Sequence, residues 1–238
     1  MKLPSIYIFS FLLLHACSYS LCAKSENGER TTVTNIKING EIKQVQCDQI
    51  EDEQWLLVQK RDNGNEAFWN KTWADYQYGF GHPQGEAFWL GLEFLAQYAA
   101  RNVTMRMEMW GDRAPGTVHS NDYFYTDYTF NMGGKKTNYT AHFYYDYRNP
   151  SGNASTAWYD MTCNDGVPFS TVDRILDPTP RCVTDYHLGG WWLKNCAFAS
   201  LNGEYDPSLG LGNGYGLFWI IDGLYVINPK RTKISVKA

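Results

Sequence analysis

Cysteine is the residue type whose chemistry the sequence indicates most directly. The 238-residue chain encodes Cys17, Cys22, Cys47, Cys163, Cys182 and Cys196. In an oxidising compartment, an even number of cysteines paired as disulfides is the safer expectation. Cys182 and Cys196 enclose a short loop, where a bridge would contribute about 3 kcal/mol in the loop-entropy model. Cys47 is left with Cys163, or with Cys22 if that residue survives processing.

The amino-terminal segment is typical of a secretory signal peptide. It starts with a basic residue, is apolar over Ile6–Leu14, and continues with small or polar residues as far as Ala23. The apolar run is too short to span a bilayer, which takes about 20 residues. We therefore expect a signal peptide at residues 1–23 and a secreted chain at residues 24–238. Cleavage after Ala23 leaves four cysteines, and an earlier cut leaves five.

The charge balance limits the classes of partner. Lys and Arg number 21 and Asp and Glu number 25, which gives a formal net charge of −4. This mildly acidic balance argues against nucleic acid and anionic membranes as partners. No stretch after the signal approaches the apolar length of a membrane span, so we expect no membrane insertion.

Asn-x-Ser/Thr sequons predict N-linked glycosylation of a secreted chain. Their asparagines are Asn70, Asn102, Asn138 and Asn153. Because glycans are attached at accessible side chains, we expect these positions to lie on the surface.

No combination of residues in the sequence predicts catalysis. His82, His119, His142 and His187 lack the spacing of a metalloprotease site, and the chain has no Gly-x-Ser-x-Gly motif. The glycine-rich run 210–216 lacks the preceding strand and following helix of a dinucleotide-binding loop. We therefore expect a protein that is not an enzyme.

Hydrophobic periodicity predicts a single α+β domain. Trp69, Trp73 and Tyr76 recur at helical spacing, and residues 93–101 are also good helix formers. Periodicity is lost after about residue 165. A loop-rich region of that length needs a tie, which a bridge from Cys182 to Cys196 would supply.

Alternating and aromatic-rich runs predict antiparallel strands. The predicted strands are 55–61, 103–111, 122–132, 139–147 and 232–237. In the tyrosine-rich strands 122–132 and 139–147, we expect the rings on one face of the sheet to pack in the core. Rings on the opposite face would then be available for recognition.

A series of short motifs rich in Trp, Gly and Asn follows in a fixed order from about residue 45 to residue 236. The motifs include Val45–Asp48, Trp55–Arg61, Phe68–Trp73, Gly79–Gly81, Phe88–Gly91, Phe169–Thr171, Gly190–Trp192, Asn195–Cys196, Leu201–Gly203 and Gly216–Trp219. In order and spacing the chain resembles the fibrinogen C-terminal-like domain. That domain is the globular module of fibrinogen chains, ficolins, tachylectins, tenascins and angiopoietins.

The resemblance implies an α+β, fibrinogen C-terminal-like fold. Its parts are a central twisted antiparallel sheet, short flanking helices and a loop-rich carboxyl-terminal sub-region. The expected sub-regions are an amino-terminal one at about 24–80, a central sheet at 81–165 with 229–238, and a loop-rich binding region at 166–228.

The family's calcium site uses closely spaced carboxylates before the first cysteine of the short bridge, because calcium takes six to eight oxygen ligands. The matching residues are Asp173 and Asp177, with Ile175 where a ligand carboxylate is expected. The sequence therefore names no certain cofactor. It predicts at most a weak calcium site and favours a proline-stiffened turn in which Asp173 pairs with a neighbour such as Arg174.

The family's ligand pocket is built around the second cysteine of the bridge, often with an adjacent histidine and a cis peptide bond. Here an alanine stands where that histidine often does. The ligand-binding residues that the resemblance implies are Asp185, Tyr186, His187, Asn195, Cys196, Ala197 and Tyr205. Core filling is the alternative for the aromatic rings of this region, and it is equally favoured for Phe198 and Trp219.

Two functions follow from the resemblance. The first is a secreted, non-enzymatic recognition protein, in a defence role, that binds glycans or acetylated determinants through the loop-rich region as a lectin does. The alternative is a matrix or receptor-ligand protein that engages cell-surface or other extracellular proteins. Residues 24–46 contain neither heptads nor Gly-x-y triplets. The trimerising stalk of relatives is therefore missing, and we expect a monomer or a weak oligomer.

Overall fold

The structure, a computed structural model, describes Cys22 and residues 30–38, 41–50 and 52–237. The strands are β1 Thr31–Ile38, β2 Glu41–Ile50, β3 Glu53–Arg61, β4 Phe80–Gly81, β5 Ala87–Trp89, β6 Val103–Asp112, β7 Tyr123–Met132, β8 Ala141–Tyr144, β9 Phe169–Ser170, β10 Trp191–Trp192, β11 Ala199–Ser200, β12 Phe218–Ile221, β13 Tyr225–Ile227 and β14 Pro229–Lys237. The α-helices are α1 Trp73–Tyr78, α2 Leu92–Tyr98 and α3 Arg181–Thr184. Short 3-10 helices cover Phe68–Asn70, Lys135–Thr137 and Met161–Asn164. None of the helices described is long and apolar enough to cross a membrane.

The central sheet has the strand order β1-β2-β3-β14-β6-β7-β8, with β4 and β5 attached beside β3. Each of these neighbouring pairs is antiparallel. β14 lies in the middle of the sheet, where Ile234 faces Gln59 of β3 and Met107 of β6. The α+β fold with a central antiparallel sheet and short helices, predicted from the sequence, is therefore confirmed.

Alternation along the strands separates a core face from an outer face. The core face of β6 and β7 carries Met105, Met107, Met109, Phe124, Thr126, Tyr128, Phe130 and Met132. On the outer face, Arg106 makes two 2.7 Å hydrogen bonds to the Asp127 carboxylate. Its guanidinium lies 4.7 Å from the ring centroid of Trp55 and 4.8 Å from that of Tyr125. β7 thus buries one row of rings and directs the other outward.

The helix predicted around Trp69 begins only at Trp73, because Thr72 caps it. The Thr72 hydroxyl accepts the N–H of Asp75 at 3.2 Å, and the Asp75 carboxylate accepts the N–H of Thr72 at 2.8 Å. This reciprocal capping box satisfies two helix-terminal donors. Gly79 ends the helix with a φ of 88°, a value that favours glycine.

The hairpin β1–β2, which adds residues 31–38 and 41–50 to the central sheet, was not predicted from the sequence. The strand predicted at 139–147 was too long. β8 covers only Ala141–Tyr144. Asn138 and Tyr139 have positive φ angles of 53° and 54°, which are incompatible with a strand.

Short strands hold the carboxyl-terminal region that lacks sequence periodicity. β9 pairs with β10, and β11, β12 and β13 form a three-stranded sheet. Trp191, Trp192 and Trp219 are fully buried between these strands and the central sheet. The Trp219 indole donates a 2.7 Å hydrogen bond to the carbonyl of Ala154. Core filling is therefore the role of Trp219.

One predicted bridge is present, and Cys47 takes one of the two partners that the sequence left open. Cys182 joins Cys196, with their Cα atoms 5.1 Å apart. Cys47 joins Cys22, the partner expected if that residue survives processing, and Cys163 is a free, half-buried thiol, so the alternative Cys47–Cys163 pair is wrong. Cys47 lies on β2, and Cys163 belongs to the 3-10 helix that packs next to β8. These strands are five positions apart in the sheet, roughly 24 Å at the usual strand spacing, which no disulfide can span.

Candidate recognition site

The loop closed by the Cys182–Cys196 bridge is held at its carboxyl end, beside Cys196, by Asp177. This carboxylate is 5% exposed. One oxygen accepts the N–H of Asn195 at 2.7 Å, and the other accepts the N–H of Thr179 at 2.6 Å. Asn195 and Cys196 both have positive φ angles, 55° and 70°, and the peptide between them is trans. Asp177 therefore holds a backbone conformation that side-chain sterics disfavour.

Asp173, the other predicted calcium ligand, is exposed and accepts a hydrogen bond from the first residue of helix α1. Its Oδ1 accepts the N–H of Trp73 at 2.7 Å and the hydroxyl of Thr171 at 2.8 Å. Arg174 does not pair with Asp173. Its guanidinium donates to Asn138 at 2.7 Å and lies 4.1 Å from the Trp73 ring centroid.

These contacts do not fit a calcium site. Both oxygens of Asp177 and Oδ1 of Asp173 already accept hydrogen bonds from the protein, and Ile175 is a half-buried side chain packed against the core. In the described part of the molecule, no group of three or more His, Cys, Asp or Glu residues is placed to hold a metal ion. The carboxylates here therefore offer few uncommitted oxygens to a cation that takes six to eight.

His187 is engaged inside the protein. Its ring stacks on that of Trp69 with centroids 4.2 Å apart, and its Nδ1 lies 2.8 Å from the Glu204 carboxylate. The Glu204 N–H donates in turn to the carbonyl of His187 at 2.9 Å. The predicted ligand-binding histidine thus ties the bridge region to the segment that follows β11.

Residues at the start of the bridged loop form an exposed polar surface. Arg181 and Asp185 are both exposed and pair at 2.8 Å. Hydrogen bonds from Thr184 and Arg181 lower the pKa of Asp185 below its usual value. The half-buried ring of Tyr186 lies against Tyr215, with centroids 4.9 Å apart. A charged pair and an aromatic pair therefore meet beside the first cysteine.

The other arm of the bridge contributes Asn195, Cys196 and Ala197. Asn195 is exposed and its side-chain oxygen accepts the hydroxyl of Thr179. The carbonyl of Cys196 accepts hydrogen bonds from Lys194 and from the buried amide of Asn164. Because the disulfide brings Cys182 and Cys196 together, this arm adjoins the charged and aromatic pairs. We call Arg181, Asp185, Tyr186, Asn195 and Tyr215 the bridge surface.

Tyr205 is placed elsewhere, at the junction with the central sheet. Its ring centroid lies 3.6 Å from the guanidinium of Arg113 and 5.3 Å from that of Arg61, and its hydroxyl donates to the carbonyl of Lys230. Arg61 is 1% exposed, and desolvation lowers its pKa to about 10. Tyr205 therefore shields a buried cation.

The sequon asparagines differ in their exposure and in their hydrogen bonds. Asn70, Asn102 and Asn153 are exposed, whereas Asn138 is half-buried. The Asn153 amide donates to the carbonyl of Tyr123 at 3.1 Å and accepts the N–H of Tyr125 at 3.0 Å. Glycosylation at these positions stays a prediction.

One surface feature escaped the sequence analysis. A concavity of about 360 Å³ follows β8 and is lined by residues 143–148 and Thr162. The aromatic run Tyr144-Tyr145-Asp146-Tyr147 is its signal in the sequence. Treating 139–147 as one continuous strand concealed the turn that forms it.

Comparison with known proteins finds relatives over most of the sequence. The family model for the C-terminal globular domain of fibrinogen beta and gamma chains matches residues 15–237. Human angiopoietin-related protein 3 is 34% identical over 204 residues, a match that covers 83% of this chain and 40% of that protein. Tenascin-R of Gallus gallus is 36% identical over 188 residues, covering 76% of this chain and 13% of that protein.

Solved structures share the fold. The fibrinogen-like globe domain of human ANGPTL2 has a TM-score of 0.70 at 26% identity and covers 89% of this chain and 94% of that one. The lamprey fibrin D-dimer, complexed with the peptide Gly-His-Arg-Pro-amide, has a TM-score of 0.70 at 22% identity and covers 89% and 70%. At that identity the second likeness shows the fold alone. The chain spans less than half the length of either sequence relative.

Proposed function

We propose a function from the family of this protein: the chain belongs to the C-terminal globular domains of fibrinogen beta and gamma chains. The proposed function is that of a non-enzymatic recognition protein that works outside the cell. The two disulfides support this location, because such bridges persist in oxidising compartments. The signal peptide expected from the sequence supports it as well.

The observation that carries the proposal is the construction of the bridge surface. The disulfide closes the loop and the Asp177 carboxylate fixes Asn195 beside it, while Arg181, Asp185 and Asn195 remain exposed. A fixed loop loses little conformational entropy when it binds, which favours affinity. Tyr and Arg are also the residue types enriched at protein interfaces.

An extracellular protein is the ligand class that this surface supports best. His187, whose neighbourhood the resemblance assigns to a small-ligand pocket, is committed to Trp69 and Glu204. Ala197 offers no hydrogen-bonding side chain beside Cys196. Lectin-like binding of glycans or acetylated determinants at the same surface is the second candidate, and the half-buried Tyr186–Tyr215 pair is the observation that favours it.

The proposal includes a monomer or a weak oligomer. Within residues 24–46, the described part forms strand β1 and the beginning of β2 instead of an extended helix. This arrangement provides no coiled-coil stalk there. Binding would then depend on the affinity of one bridge surface.

Cell binding with surface variants tests the proposal. Fluorescently labelled mature protein is applied to cells that are untreated, treated with protease, or treated with glycosidases. A protein ligand predicts loss of binding after protease, and a glycan ligand predicts loss after glycosidases. The variants are Arg181→Ala with Tyr186→Ala, and the control is Lys136→Ala at an exposed position away from the bridge. Equal binding by the double variant and the control would remove the bridge surface from the proposal.

A further inference from the structure

The concavity beyond β8 has a different construction from the bridge surface. Its volume, about 360 Å³, lies at the lower end of the range for small-molecule sites. Its lining combines four aromatic residues with a carboxylate, a guanidinium and a hydroxyl. None of its lining residues belongs to the site that the family resemblance implies.

The ring of Tyr147 is held in place by hydrogen bonds to its hydroxyl group. Its hydroxyl lies within 2.9 Å of both an Asp160 carboxylate oxygen and the Thr162 hydroxyl. Asp160 is fully buried and also accepts the N–H of Thr162. Burial and the Asp160 charge raise the pKa of Tyr147, so its hydroxyl keeps its proton. The ring is nevertheless 41% exposed, and it therefore presents a fixed aromatic surface to solvent.

Tyr144 supplies a second exposed ring. Alternation on β8 buries Phe143 and directs Tyr144 outward, where it is 61% exposed. The buried ring of Tyr145 packs against Tyr147, with centroids 4.8 Å apart. Tyr144 and Tyr147 therefore border the same concavity, and the buried Tyr145 ring supports Tyr147.

A tight turn places the charged groups at the rim. The Asp146 carboxylate accepts the N–H of Arg148 at 3.0 Å, and the Asp146 carbonyl accepts the N–H of Asn149 at 3.1 Å. This Asx-type turn fixes the backbone. The Arg148 side chain is 95% exposed and lies 3.9 Å from Asp146. At that distance the ion pair is weak, so both groups can bond to a ligand.

We propose that this concavity is a binding subsite for a neutral hexopyranose unit of a glycan. A pyranose chair has a face of C–H groups, which packs on an aromatic ring, and a rim of hydroxyls. The exposed faces of Tyr144 and Tyr147 match the first feature. Asp146 as acceptor and Arg148 as donor match the second, through charge-assisted hydrogen bonds. One negative and one positive lining group sum to zero, which matches an uncharged sugar.

The subsite adjoins the bridge surface through the 3-10 helix Met161–Asn164. Thr162 lines the concavity, while Asn164 in the same helix donates to the carbonyl of Cys196 at 3.1 Å. An extended glycan has a short path between the two. The subsite itself stands on its own lining residues and does not depend on the proposed protein ligand.

Titration of the mature protein with methyl glycosides of glucose, galactose, mannose and N-acetylglucosamine tests the inference. We expect at least one to bind with a Kd of about 1 mM, measured by calorimetry and by saturation-transfer NMR. Tyr144→Ala removes an exposed ring and should weaken that binding about tenfold. Trp158→Ala is the matched control, because Trp158 is 79% exposed and does not line the concavity.

The outcomes separate clearly. Weaker binding by Tyr144→Ala and by Arg148→Ala, with unchanged melting temperatures and normal binding by Trp158→Ala, supports the subsite. Absence of binding by all four glycosides at about 20 mM overturns it. Equal effects of Tyr144→Ala and Trp158→Ala, or tighter binding of methyl glucuronide than of methyl glucoside, also overturn it. Cell binding by the Arg181 and Tyr186 variants reports on the bridge surface independently.

Discussion

The Asp177 carboxylate accepts the backbone N–H of Asn195 at 2.7 Å across 18 residues of sequence. The same carboxylate also accepts the N–H of Thr179, so one buried side chain joins the segment before Cys182 to the residue before Cys196. The residue that the family resemblance assigns to calcium thus serves the backbone in this protein.

Replacing Asp177 should therefore weaken folding instead of metal binding. Asp177→Asn substitutes an amide for one acceptor oxygen and places its N–H₂ group against a backbone N–H. We expect the free energy of unfolding to fall by about 2 kcal/mol, since an unsatisfied buried donor costs that much. Urea unfolding measures the change. The control Asp185→Asn alters an exposed carboxylate and should leave the midpoint unchanged; equal loss in both variants would contradict the role of Asp177.

The Cys22–Cys47 bridge predicts where the signal peptide ends. Cleavage after Ala23, as expected from the sequence, would remove Cys22 and leave Cys47 without its partner. We therefore predict cleavage before Cys22, after Ser18 or Ser20. Mass spectrometry of the secreted protein should find Cys22 linked to Cys47, Cys182 linked to Cys196, and a free thiol at Cys163. A mature protein that begins at Lys24 would contradict this prediction.

The capping box of α1 predicts a dependence on pH. Hydrogen bonds from Thr72 lower the pKa of Asp75 below its usual 3.8. A carboxyl with a lowered pKa in the folded protein stabilises it at pH values above 3.8, and this contribution is lost as the pH falls below that value. Asp75→Asn should cost about 0.5 kcal/mol at pH 7, because the site is largely exposed to solvent.

Unfolding measured from pH 7 down to about pH 3 tests the sign. The difference between the native protein and Asp75→Asn should shrink as acid protonates the native carboxyl. The comparison variant Asp222→Asn changes an exposed aspartate in a turn with a φ of 52°, which asparagine tolerates equally well. A difference for Asp75→Asn that grows in acid would reverse the assignment.

Arg106 on the outer face of the sheet should not tolerate lysine. Its planar guanidinium bonds both oxygens of Asp127 and lies between two aromatic rings, and an ammonium group reproduces neither geometry. We expect Arg106→Lys to lower the free energy of unfolding by about 1–2 kcal/mol. Arg148→Lys, at a highly exposed side chain, should be neutral. Equal stability of the two variants in thermal unfolding would show that the stacked pair contributes nothing.

Local sequence signals predicted much of the framework. Alternation located β6, β7 and the last strand, because a half-buried strand needs apolar residues at every second position. The short Cys182–Cys196 loop was predictable because its cysteines are near in sequence. The family motifs supplied the arrangement of the sheet that connects these parts.

Those local signals could not predict contacts between residues that are far apart in the sequence. The exclusion of Cys163 as the partner of Cys47 depends on five strand spacings across a sheet, which no local pattern encodes. His187 stacks on Trp69 across more than a hundred residues, so this contact could not be foreseen. The Tyr144–Arg148 concavity depends on where β8 ends, and strand boundaries are poorly fixed by composition.

The central place of β14 has a consequence for biosynthesis. The ribosome synthesises β3 and β6 long before β14. Until β14 is made, the edges of β3 and β6 that it will pair with remain unpaired. Folding of this protein should therefore be completed after translation, with chaperones covering those edges in the secretory pathway. A premature stop codon just before Pro229 would leave two separate half-sheets prone to aggregation.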